Sequence, residues 1–212
     1  MQVTICTANC VGQAGNCSYP NKVTVVTPEQ LQEAVKKDHV CAEFKGNYRS
    51  IENFIRSDVI VMDIDNDHTE VPADWITAEK LEELFPNVEY LLAPSRHHLL
   101  DKEGKSARPR YHMYFPISEI TDASGYASLK RAIQSAYSFF DGNALDAARF
   151  IFGAECDEVI LHEGWMTVDE EVEVSDIEEE DFDSEMPDGK SSRPILEGSR
   201  NNTMSRFAGR VL

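Results

Sequence analysis

The eight residues Asp58-Val59-Ile60-Val61-Met62-Asp63-Ile64-Asp65 constrain this chain more than any other stretch. Their apolar run reads as a strand buried on both faces, so something must cover it on two sides. The run closes on two carboxylates at i and i+2, which the alternation of a strand puts on one face. Burying one unpaired carboxylate is costly, and two like charges repel as well, so a cation is the natural compensation. Carboxylate oxygens suit hard ions. A pair of divalent ions bridged by such groups can stabilise the attacking and leaving oxygens of phosphoryl or nucleotidyl transfer. The competing reading is that the strand ends at Met62 and both aspartates face water in the turn Asn66-Asp67-His68.

Other elements follow from local signals. Residues 1–26 read as a strand or two joined by a loop, ending in Val23-Thr24-Val25-Val26. Thr27-Pro28-Glu29-Gln30 carries a capping box, with Pro in the first turn, and predicts a helix to Lys37. Ser50 to Asn53 opens a shorter helix. Thr77 to Leu84 is helical, Val88 to Ala93 and Tyr111 to Ile117 are strands, and Asp122 to about Phe139 is a long helix with Leu129, Ile133 and Ala136 on one face. Strands alternating with helices predict a sheet covered by helices.

The net charge of −18, from 38 acidic and 20 basic residues, argues at first against a protein that coats nucleic acid or anionic membrane. Twelve of those 38 acidic residues, however, fall between Val168 and Asp188, which holds no basic residue. Without that tract 26 acidic residues face 20 basic, a balance of −6. The tract predicts a solvated linker, and its interleaved Val172, Val174, Ile177 and Phe182 could dock on a basic groove. No apolar run spans a membrane and no basic, then apolar, leader opens the chain, so a soluble cytoplasmic protein is expected. Cys6, Cys10 and Cys17, with His39 or Cys41, lack the paired C-x-x-C spacing of a zinc site, and the cysteines read as buried thiols.

Two further runs carry chemistry. Pro94-Ser95-Arg96-His97-His98, then Lys105 and Arg108-Pro109-Arg110-Tyr111-His112-Met113-Tyr114-Phe115-Pro116, puts guanidinium and imidazole groups on a pair of strands. His112 points away from Tyr111, Met113 and Phe115, and such a set suits a polyphosphate, although a charged surface hairpin would look the same. Phe140-Asp141 followed by Asp146-x-x-Arg149-Phe150 offers a third carboxylate, Asp141 or Asp146, and another phosphate-seeking arginine. A helix cap is the plainer reading of Asp141.

Taken in order, the three runs resemble the motifs of the archaeo-eukaryotic primase superfamily, most closely the primase-polymerases of bacterial phages and mobile elements, over residues 55–155. The resemblance implies an α+β catalytic core with a sheet like the RNA-recognition-motif module, joined to a smaller N-terminal α/β part. It implies Asp63, Asp65 and Asp141 as ligands of two Mg²⁺ or Mn²⁺ ions and His112 as the residue on the nucleotide's phosphates. Ser95, Arg96, His98, Arg108, Arg110 and Arg149 become phosphate or template contacts. Arg110 departs from the pattern, since many members carry Ser or Gly two positions before the histidine. The activity implied is template-directed nucleotidyl transfer, by a primase, a polymerase or both, on a DNA template and primer. Gly198 to Arg210 is similar to the opening of the helical domain that follows such cores. The expected division is therefore a catalytic domain over 1–165, an acidic linker over 166–192 and a truncated helical domain over 193–212, with a helicase module in the longer protein or a single-strand-binding protein as partner. Three other readings stay open: a haloacid-dehalogenase-like phosphatase using Asp63 as nucleophile and Asp65 as acid, a metal-dependent glycosyltransferase, and a non-catalytic replication module with an acidic docking tract.

Overall fold

The computed structural model describes residues 1–143 and 145–172. Within them, β5 (Phe54–Ile64) runs antiparallel to β7 (Tyr111–Ile120), and β6 (Tyr90–Pro94) pairs with the other edge of β7. With β4 (Glu43–Phe44) and β9 (Ile160–His162) they form a five-stranded sheet in the order β4-β5-β7-β6-β9. A second sheet has the order β2-β1-β3-β8, built from β1 (Val3–Thr7), β2 (Asn21–Val25), β3 (His39–Val40) and β8 (Phe150–Ile151).

The apolar run of β5 is covered on both sides. Ile60, Met62 and Ile64 share one core with Leu81 and Phe85 at α2 (Ala78–Leu84) and with Tyr126 and Ile133 of α3 (Ala123–Ala136). Val59 and Val61 share another with Val3, Ile5 and Val25, and with Leu31, Ala34 and Val35 of α1 (Pro28–Val35). Helices α2 and α3 lie on one face of the long sheet, and the N-terminal sheet with α1 lies on the other. Every named strand pair is antiparallel, so this is an α+β fold. The N-terminal part, expected as α/β, is antiparallel too, and it borrows β8 from more than a hundred residues downstream.

Local chemistry explains the boundaries. The capping box forms as expected: Gln30 N donates to Thr27 Oγ1, and Thr27 N donates to Gln30 Oε1. The helix predicted to Phe139 stops at Ala136, because Phe139 and Phe140 turn into the helix-side core, their rings 4.5 Å apart at the centroids. The segment after Ser50 is only a 3₁₀ turn, Ile51–Asn53. The linker expected from residue 166 does not begin there: Val168 and Val172 are buried in the helix-side core and Glu89 N donates to Met166 O. The remainder of that tract, the domain predicted over 193–212 and the docking residues Val174, Ile177 and Phe182 lie outside the described residues. No helix among the described residues is long and apolar enough to cross a membrane.

Beneath β7, His39 is wholly buried; its ring bonds Lys37 O at 2.8 Å and the Tyr114 hydroxyl at 2.7 Å. The neutral tautomer satisfies both, with Nδ1–H donating and Nε2 accepting. Burial pushes its pKa down, from 6.5 to about 4. The neutral ring is favoured only when folded, so its contribution is complete above pH 6.5 and is lost as the pH falls toward 4. Acid should therefore remove about 3 kcal/mol across that window. Urea unfolding of wild type and His39→Gln at pH 7 and pH 4.5 checks this: the variant should show the smaller loss, and equal losses refute the assignment.

Candidate active site

The register of the long sheet sets the first pair. Asp63 stands opposite His112, and His112 opposite Ala93. Both point to the face that carries Val61 and Tyr114, toward the N-terminal sheet. His112 Nδ1 donates to Asp63 Oδ1 at 2.8 Å, and Arg149 Nη2 lies 3.5 Å from Oδ2. Burial pushes the Asp63 carboxyl up, but His112, Lys130 and Arg149 outweigh it and hold the pKa at about 2. The Asp63 side chain is therefore held as a carboxylate.

Asp65 lies one residue past the strand. Its Oδ2 accepts from Lys102 Nζ at 2.8 Å, and its Oδ1 is 3.7 Å from Arg110 Nε. Asp141 is tied to the same strand end by its backbone, its N–H donating to Asp63 O at 2.9 Å. Its Oδ1 accepts from the backbone and side chain of Asn143. The competing Asp146 instead accepts from Ala148 N in a local turn.

Asp63, Asp65, Asp141, His112, Ser95, Arg96 and Arg149 all line one cleft of about 330 Å³, where the end of the long sheet meets β8. The guanidinium of Arg96 lies 4.0 Å over the Phe152 ring and has no hydrogen-bond or ion-pair partner among the described residues. It is held by an aromatic face rather than by a carboxylate, which leaves its donors for an incoming anion.

Three expected contacts do not reach this cleft. His98 turns back on the Arg110 backbone, ring nitrogen to oxygen at 2.9 Å, and packs on Tyr111. Arg108 and Arg110 are fully buried. Arg108 donates to Asn66 O, Thr69 O and Glu70 Oε2 and lies over the Trp75 ring. Arg110 donates to His97 O and Leu100 O. Arg110 thus collects carbonyls of the loop between β6 and β7, and Arg108 ties that loop to the segment after β5. That accounts for an arginine where the resembled family carries a small residue.

Lys102, His97, Ala14, Phe150 and Phe152 also line the cleft and were not foreseen. Phe150 and Phe152 were legible only as apolar residues. Ala14 belongs to a loop held by the buried Asp38, whose carboxylate accepts from Gly12 N, Gln13 N and Gly153 N. A second cleft of about 460 Å³ adjoins the first and shares Asp65, Lys102 and Asp141 with it.

Three carboxylates on one cleft offer the hard oxygen donors that Mg²⁺ and Mn²⁺ prefer. As they stand, no three His, Cys, Asp or Glu side chains among the described residues are grouped closely enough to hold an ion. Asp63 and Asp65 are each engaged instead from within the chain, Asp63 by the His112 ring and the Arg149 guanidinium and Asp65 by the Lys102 ammonium. In donor chemistry the three aspartates suit a divalent ion, although as they stand their oxygens are turned to groups of the chain itself.

No family model matches the chain and no curated protein matches it. Among solved structures the chain is similar to the AEP domain of a primase-polymerase (PrimPol) of cyanophage S-2L, with a TM-score of 0.40 and 13% identity, over 77% of this chain and 81% of that one.

Proposed function

We propose that the protein is a template-directed nucleotidyltransferase, a DNA primase or polymerase, whose active site is the cleft at the end of β5. One observation carries the reading: Asp63, Asp65 and Asp141 share a single cleft with His112, Arg96, Arg149 and Ser95, so carboxylates and phosphate-seeking groups face one another. Divalent ions held by the three aspartates would lower the pKa of an attacking 3′-hydroxyl and neutralise the triphosphate. The chain's own residues do the rest. Asp63 accepts from His112 Nδ1–H and so orients the ring, whose imidazolium form, with Nε2–H as well, is the one that donates to a phosphate oxygen. Arg96 and Arg149 offer forked donors to the phosphates, and the Ser95 hydroxyl a shorter one. The five-stranded sheet with helices on one face is read as the RNA-recognition-motif-like core, and the template is read as DNA. The test is incorporation of labelled nucleoside triphosphate on a primed single-stranded template. Incorporation with Mn²⁺ or Mg²⁺ and none in a chelator is the expected result. No incorporation by wild type overturns the reading, and template-independent phosphate release from a generic phosphoester favours the phosphatase.

A further inference from the structure

Two cations address Asp65, and they differ in kind. Arg110 is fully buried, and its Nε and Nη2 have no hydrogen-bond partner among the described residues; Nε stands 3.7 Å from Asp65 Oδ1. Lys102 reaches Oδ2 at 2.8 Å from the other side, in a pair about a quarter exposed, 26% and 29%. The backbone that carries Lys102 is fixed. Lys102 and Lys105 exchange backbone hydrogen bonds of 3.1 and 2.9 Å around Glu103 and Gly104, both at positive φ, and the loop is anchored by Arg108 and Arg110. Its four-carbon stem is the mobile part. The ion pair stands where the two clefts adjoin, since both are lined by Asp65 and Lys102.

We propose that Lys102 is a resident counter-ion: it neutralises Asp65 in the free protein, gives way when a divalent ion binds, and then turns to the nucleotide's polyphosphate. The proposal rests on the nucleotidyltransferase reading. Asp65 is not left without a cation when Lys102 departs, because Arg110 remains behind it. Such a lysine acts oppositely on two ligands. It competes with a bare metal ion, and it attracts a metal-bound anion.

Titration of Mn²⁺ followed by the electron paramagnetic resonance of the free ion tests this without catalysis. Lys102→Met should bind Mn²⁺ about three- to tenfold more tightly than wild type. At saturating Mn²⁺ the same variant should bind a nucleoside triphosphate about tenfold more weakly. Lys105→Met, which removes the same charge beside Asp67, should change either affinity by less than about twofold. Equal or weaker Mn²⁺ binding in Lys102→Met, or an equal gain in Lys105→Met, overturns the counter-ion role alone. Unchanged nucleotide affinity overturns the turn to phosphate. If neither wild type nor Lys102→Met binds Mn²⁺, the metal site and the lysine's role fall together.

Discussion

Asp63→Asn is expected to lower divalent-dependent nucleotide incorporation by at least about a hundred- to a thousandfold, the loss typical when one preorganised electrostatic group is removed from a reacting centre. The substitution keeps the side chain's size and removes its charge, so it separates charge from shape. Asp63 answers the His112 ring and two cations, Arg149 and the buried Lys130. Lys130 is pushed by burial toward its neutral form, and Asp63 works against that. Removing the carboxylate therefore also costs stability, about 3 kcal/mol for a broken buried pair. Asp65→Asn separates the two effects, since that carboxylate is partly exposed and paired mainly with Lys102. It should lose activity to a similar degree while shifting the unfolding midpoint little. Both are read from single-nucleotide incorporation at saturating Mn²⁺, alongside thermal unfolding. Retention of more than a tenth of wild-type incorporation by folded Asp63→Asn sinks the assignment of that residue.

The largest stability effect is expected from Asp38→Ala. The side chain is wholly buried and takes backbone N–H groups from three places: Gly12, Gln13 and Gly153. Truncation leaves three donors unsatisfied, and an orphaned buried group costs about 1–3 kcal/mol. A loss of about 4 kcal/mol should follow in urea unfolding at pH 7, and a loss under about 1 kcal/mol would show that the loop repairs itself with water. Gly153 has no room to compensate, because a Cβ there would lie 2.5 Å from Lys36 O. Burial raises the Asp38 carboxyl pKa and the amides of Gly153, Gly12 and Gln13 more than reverse that, so its net shift is downward. Its contribution is thus present above the ordinary carboxylate range and is lost only as the pH falls through the depressed value, below the range in which His39 acts. Through Gln13 N and Gly153 N, Asp38 also ties the neighbouring Ala14 and Phe152, both of which line the cleft, to one carboxylate. The same variant should bind nucleotide more weakly at temperatures where it is still folded.

Much of this site could be seen in the sequence, and what could not has physical reasons. Asp63 and His112 were legible because strand alternation is strict: each interrupts an apolar pattern on a known face, and register then brings them together. The burial of β5 on both faces was legible too, but its partners were not, since an apolar run fits a parallel or an antiparallel sheet equally well. β8 is two residues long and pairs with β3 across more than a hundred residues. No local pattern announces a strand of that length, and so Phe152 under Arg96 went unseen. Arg108 and Arg110 were misread because composition cannot tell a guanidinium that seeks phosphate from one that collects carbonyl oxygens under a loop. Asp38 gave no signal, being a lone acidic residue after two lysines.

The two buried arginines bear on how a pH–rate profile is to be read. A guanidinium keeps its proton throughout the range in which proteins fold. The bonds these two arginines make to the carbonyls of Asn66, Thr69, His97 and Leu100 are therefore not broken by loss of a proton as base is added. Inflections in such a profile are therefore not those of the two arginines, and substitution of the groups lining the cleft, one at a time, is the way to assign them.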